Sequence, residues 1–214
     1  MKTFIALAGA TILIAAGIFF WLNPGSLSGL FASRTPEPVA TTTPEVEVRS
    51  TYASSTLGFS IRYPRTFTLD DAYDYPFSDT KTIPDMVRFL IPAEMATGTN
   101  LSADSYVSVE QLPRATSCTG DIFVRDNVRA ESITEGAVEY SLATTSGAAA
   151  GNRYEEFVYA LPNSEPCMAV RYYVHSTVLE NYPEGTVSAF DRAALLADFD
   201  EIRRSLQITP SVTP

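Results

Sequence analysis

Tyr154-Glu-Glu-Phe-Val-Tyr-Ala-Leu161 and Cys167-Met-Ala-Val-Arg-Tyr-Tyr-Val-His175, separated by Pro162-Asn-Ser-Glu-Pro166, carry the reading of the fold. Both runs are dominated by aromatic and aliphatic residues, and the proline-bounded spacer turns the chain, so the pair forms an antiparallel hairpin with a loop of about five residues. Period-two alternation puts Met168, Val170, Tyr172 and Val174 on one face of the second strand, and Cys167, Ala169, Arg171, Tyr173 and His175 on the other. The first face is core. The second is mixed, and if the sheet carries a groove, Arg171, Tyr173 and His175 line it as a candidate binding face. The competing reading is a solvent-facing sheet edge with a satisfied imidazole.

Working outward, shorter strands precede this hairpin. Phe59, Ile61 and Tyr63 alternate with Ser60 and Arg62 between Gly58 and Pro64; Phe67 and Leu69 continue the pattern. Val87, Phe89 and Ile91 form a third apolar face, Tyr106 to Glu110 a fourth with Val107 and Val109 inward, and Glu139 to Leu142 a fainter one. Helical spacing is concentrated near the end, where Leu195, Phe199, Ile202 and Leu206 recur at four, three and four residues. Ser188 with Asp191 resembles a capping box, and Arg203 and Arg204 sit where the helix dipole favours cations. A second helix is expected between Arg114 and Val128. Strands first and a closing helix predict an α+β domain, an antiparallel sheet with helices packed on it.

Upstream, Phe4 to Leu22 consists of apolar or small residues and carries no charge. At about 1.5 Å per residue it spans roughly 28 Å, the hydrocarbon thickness of a bilayer, and it lacks the polar stripe of a core helix. Residues 4–22 therefore predict contact with the lipid bilayer as a single-pass signal-anchor. Lys2 before the run keeps the N-terminus cytoplasmic, and Trp21 suits the far interface. A cleaved secretory signal is the alternative, with Ser26-Leu27-Ser28 as its small-x-small site. Either reading exports the rest of the chain, to the outer face of the cell membrane or as a secreted protein. No cysteine follows the run closely, so a lipid-modified N-terminus is excluded.

The predicted organisation is thus an anchor at residues 1–23, a Pro/Thr-rich spacer at 24–50, a folded domain at 51–209 and a flexible tail at 210–214. The formal net charge of −10 and the absence of a basic stripe exclude nucleic acid as a partner. The same acidity argues against an anionic lipid surface as the partner of the folded domain.

Gly58-Phe-Ser-Ile-Arg-Tyr-Pro64 followed by Phe67 resembles the G-F-S-I-x-Y-P-x-x-W opening of PsbP-like proteins, the extrinsic photosystem II subunit and its relatives. Phe67 stands where that family commonly has Trp. The closing Phe199-x-x-Ile202-x-x-Ser205-Leu206 is similar to the helix that ends such domains, while the middle is unmatched. Gly151-Asn-Arg-Tyr-Glu-Glu156 and the Cys167 strand resemble those of short exported bacterial proteins sharing that opening. The resemblance implies an antiparallel sheet sandwiched by helices and a non-enzymatic role in protein association. The histidine- and aspartate-based metal sites of parts of that family have no matching motif, so no metal or cofactor is carried over.

Cys118 and Cys167, the chain's two cysteines, lie in the exported part and read as one structural disulfide. Redox catalysis would favour closer spacing. Asp70-Asp-Ala-Tyr-Asp-Tyr-Pro-Phe-Ser-Asp79 clusters carboxylates with aromatics, Asp70, Asp71, Tyr73, Asp74 and Tyr75 foremost, but without a calcium-loop spacing. This acidic, aromatic loop is either solvated or a contact for a partner protein. Gly25-Ser-Leu-Ser-Gly29 has leucine where a hydrolase has its nucleophile, and no H-E-x-x-H or phosphate loop occurs. Glu155 and Glu156 point to opposite faces of one strand and cannot act as an acid/base pair. The functional expectation is a membrane-tethered, non-enzymatic domain that associates with an envelope protein. The alternative is a small-ligand receptor using the Arg171, Tyr173 and His175 face.

Overall fold

The structure, a computed structural model, describes residues 48–72 and 85–209. The predicted span at 4–22, the spacer up to residue 47, Tyr73, Asp74, Tyr75 and the tail at 210–214 lie outside them. The described strands are β1 (Arg49–Ser54), β2 (Phe59–Pro64), β3 (Thr68–Asp70), β4 (Asp85–Leu90), β5 (Tyr106–Leu112), β6 (Glu131–Glu135), β7 (Val138–Ala149), β8 (Asn152–Leu161), β9 (Cys167–Thr177) and β10 (Gln207–Ile208). Helix α1 (Ala93–Ala96) is a single turn, and α2 (Arg192–Arg204) is the long one. The central sheet runs β3-β4-β5-β9-β8-β7-β6 and is antiparallel throughout; β1-β2-β10 make a smaller antiparallel sheet.

The expected hairpin is β8–β9, in register from Leu161 opposite Met168 to Asn152 opposite Thr177. Met168, Val170, Tyr172 and Val174 are fully buried, joined by Val107 and Val109 of β5 and Val87 and Phe89 of β4. This face packs on Phe59 and Ile61 of β2 and on Leu195, Phe199 and Ile202 of α2. The two stretches that resemble the PsbP-like ends therefore pack against each other. Ser205, the C-cap of α2, accepts the Arg62 N–H at 2.8 Å, and its hydroxyl proton is shared between the carbonyls of Ile202 (2.7 Å) and Arg62 (3.0 Å). One hydroxyl thus closes the helix and stitches it to β2.

Five sequence expectations are corrected. The first strand begins at Arg49, inside the stretch assigned to the spacer. The helix expected between Arg114 and Val128 is only a 3-10 turn, Gly120–Phe123. Its Thr, Ser, Cys and Gly residues are poor helix formers, and no apolar stripe repeats at helical spacing. The sheet is consequently not sandwiched by helices: α2 and the small sheet cover one face, and an irregular segment lies on part of the other. Finally, the faint Glu139 strand is a twelve-residue one, β7. The cap of α2 is Asp191 alone, whose carboxylate accepts the Ala194 N–H at 2.9 Å.

The last turn of α2 is locked by Arg203. This side chain is fully buried, donates to the Tyr172 hydroxyl at 2.7 Å and the Glu135 carboxylate at 2.8 Å, and lies over the rings of Tyr140 (4.6 Å) and Tyr159 (4.2 Å). The Tyr172 hydroxyl in turn donates a hydrogen bond to the Asp200 carboxylate at 2.8 Å, and burial pushes its phenol far above the usual range. The Arg203 hydrogen bond, aided by Arg204, holds the Glu135 carboxyl below its ordinary value of 4.5. A depressed folded value means that Glu135 stabilises the protein fully above the unfolded value and stops doing so as pH falls through the folded one. The stability difference between the parent and Glu135→Gln, read from thermal midpoints, should therefore be constant near neutrality and shrink below about pH 4. A difference independent of pH would refute the role of this ion pair.

Candidate binding face

The second face of the central sheet splits into a covered half and an aromatic half. In the covered half, Phe123, Leu112, Val158, Ala160, Cys167 and Ala169 form a separate apolar cluster under the segment that follows β5. The Cys118–Cys167 disulfide, with Cα atoms 5.2 Å apart, ties that segment to β9. Contact is close enough to demand glycine at position 120: a Cβ there would sit 2.6 Å from the Ala143 nitrogen and 2.7 Å from the Ser141 carbonyl oxygen.

Arg171 lies at the boundary and is 1% exposed. Its Nε and Nη2 donate to the two carboxylate oxygens of Glu110 at 2.7 and 3.0 Å, Nη1 donates to Glu156, and Nη2 also meets the Phe123 carbonyl at 2.6 Å. Ser108 donates to Glu110 at 2.8 Å, which completes the shell of this fully buried carboxylate. Of the three residues expected to line a groove, Arg171 is thus a buried pin between β5, β8, β9 and the overlying segment. Period-two alternation placed its side chain on the right face but could not show that the face is covered there.

Tyr173 and His175 lie in the aromatic half, both partly exposed. Cross-strand register sets Tyr106 opposite Tyr173 and Tyr154 opposite His175. The rings stack in a row: Tyr106 on Tyr173 at 5.0 Å, Tyr173 beside Tyr154 at 6.2 Å, and Tyr154 on His175 at 4.6 Å. The row is polar at both ends. His175 Nδ1 lies 2.8 Å from Asp104, and Nε2 lies 3.0 Å from the Asn152 side-chain oxygen. The Asn152 amide group donates to the carbonyls of Ala149 and Ala150, which aims its oxygen at the ring. No hydroxyl or thiol hydrogen-bonds to this imidazole among the described residues. At the other end the Arg88 guanidinium lies 5.6 Å from the Tyr106 ring centre and pairs with Asp70 at 2.9 Å.

Asp70, the first residue of the acidic loop, is thereby joined through Arg88 to the same sheet face as Tyr173 and His175. Asp71 is exposed and follows directly. Glu155 and Glu156 diverge as expected, Glu155 pairing with Arg192 at 2.6 Å and Glu156 with Arg171. Sequence reasoning missed Tyr106, Tyr154, Asn152 and Asp104. Counting outward from the hairpin loop in register would have placed Tyr154 opposite His175, whereas nothing local marks Asp104. Among the described residues no three metal-ligating side chains converge.

No protein-family model matches the sequence, and no curated protein matches it. Among solved structures, the fold is similar to a crystal structure from Bacteroides thetaiotaomicron VPI-5482, with a TM-score of 0.43 and 12% identity over 76% of this chain and 49% of that one. This chain thus spans about half the length of that protein. It is also similar to the solution structure of cyanobacterial PsbP (CyanoP) from Synechocystis sp. PCC 6803, with a TM-score of 0.32 and 13% identity over 80% of this chain and 99% of that one. Neither likeness is close enough to assign a function.

Proposed function

We propose that the protein is a non-catalytic association domain, PsbP-like in its two ends, held outside the cytoplasm by residues 4–22 and working on an envelope protein. The observation that carries this is the row of Tyr154, Tyr173 and His175, side by side and partly exposed on one sheet face. Tyrosine edges and hydroxyls supply contact area at low entropic cost, and such residues dominate protein interfaces. The polar rim of Asp104, Glu156 and Arg88 supplies orientation. Tethering follows from the uncharged apolar leader, with the N-terminus cytoplasmic; if the leader is cleaved, the same domain is secreted. A small-ligand receptor at this face is the less favoured reading, because the Arg171 donors are engaged by Glu110, Glu156 and the Phe123 carbonyl.

The test is crosslinking and affinity capture from native membranes, comparing the parent with a Tyr154→Ala, Tyr173→Ala variant of unchanged fold. Recovery of a specific partner should fall by about tenfold or more in the variant, the scale of losing interface anchors. Equal recovery from both proteins would sink the proposal.

A further inference from the structure

A depression of about 370 Å³ opens on the opposite side of the sheet, where the far ends of β8 and β9 meet the start of α2. Ser176 and Arg153 face each other in register across these strands and both line it. Ser176 is 7% exposed, and its hydroxyl, which solvent reaches, makes no hydrogen bond to another described residue. A hydroxyl open to solvent at the wall of a depression is free to donate to, or accept from, a ligand atom that displaces its water.

The charges sort into two kinds. Arg192 and Glu155 also line the depression but satisfy each other through three contacts of 2.6 to 3.1 Å. Arg153 and Glu180, by contrast, make no ion pair or hydrogen bond through their side chains among the described residues. Leu179 and Phe190 supply apolar wall, Leu179 being one of the larger exposed hydrophobic residues of the domain. The site therefore offers one unengaged cation, one unengaged anion, an unengaged hydroxyl and a hydrophobic surface, with no net charge among its four ionised groups.

We propose that this depression binds a small zwitterion bearing an apolar side chain, the chemistry of a free aliphatic amino acid. Arg153 and the Ser176 hydroxyl hold the carboxylate, Glu180 holds the ammonium group, and Leu179 and Phe190 cover the side chain. The volume lies at the small end of ligand sites, which suits a molecule of this size. The site is on the other side of the sheet from the aromatic row and does not rest on the association reading.

The experiment is titration of the full-length protein, in detergent, with L-leucine, followed by calorimetry and by amide chemical shifts. Saturable binding is expected at roughly millimolar concentrations, typical for a shallow site with few contacts. N-acetyl-L-leucine lacks the ammonium group and L-leucinamide lacks the carboxylate; each should bind about tenfold more weakly. Arg153→Gln and Glu180→Gln alter exposed side chains that hold nothing else in place, so both variants should fold as the parent does. Each should weaken leucine by about tenfold, Arg153→Gln leaving leucinamide affinity unchanged and Glu180→Gln leaving N-acetyl-leucine affinity unchanged. Absence of saturable binding, or equal binding of leucine and both of its neutralised analogues, would overturn the site.

Discussion

Replacing Arg171 with methionine should lower the unfolding free energy by about 3–5 kcal/mol, among the largest losses any single change in this domain will cause. The substitution keeps most of the aliphatic stem and removes only the cation. Glu110, fully buried, then keeps one hydrogen bond, from Ser108, and loses its two charge-assisted ones. Glu156 loses the same partner, and the Phe123 carbonyl loses its donor, so the segment lying on β8 and β9 is loosened as well. The measurement is equilibrium urea unfolding of the purified protein. The double variant Arg171→Met, Glu110→Leu should recover a large part of the loss, because removing both charges also removes the cost of leaving one buried. A single-variant loss below about 1 kcal/mol would show that the pair contributes no more than a surface salt bridge.

Cys118→Ser should cost about 4 kcal/mol under oxidising conditions. The disulfide closes a loop across a sequence separation of 49, and in the loop-entropy account a closure of that length restricts the unfolded chain by this amount. Unfolding the parent with and without a dithiol reductant checks the origin of the effect. The two proteins should differ when oxidised and converge when reduced. A gap that persists after reduction would place the effect in native packing around Cys118 rather than in the cross-link.

Both predictions act on the same element, the irregular segment between β5 and β6, and this explains where the sequence could and could not be read. Its residues carry no periodicity, so the expected helix had little behind it, and the segment's conformation is imposed by what it lies on. Three attachments define it: the disulfide, the Arg171 bond to Phe123, and the close seating of Gly120 on the sheet. Each involves a residue far away in the chain. The twelve residues of β7 posed a related difficulty. Thr144-Thr-Ser-Gly-Ala-Ala149 lacks the bulky residues that announce a strand, and it is held extended by pairing with β8 along its length.

The candidate face was half legible. Alternation placed Tyr173 and His175 on the correct side, and the expected pairing of the two cysteines is the one found. The same alternation could not distinguish Arg171, which lies under the overlying segment, from Tyr173, which does not. Period-two patterning reports direction relative to the sheet and is silent on what a distant segment later covers.

By itself, then, the chain's pattern of apolar residues and breakers determined the antiparallel hairpin, the buried face of β9, the stripe of α2 and the one disulfide, because each depends on neighbours in sequence or on a single pair of residues. Tertiary structure alone decided that Arg171 is buried against Glu110, that Tyr106 of β5 joins Tyr154, Tyr173 and His175 in an aromatic row, and that Glu180 lines the same depression as Ser176 and Arg153. Those outcomes depend on strand order, and strand order is settled by the packing of the whole sheet against α2 rather than by any local preference.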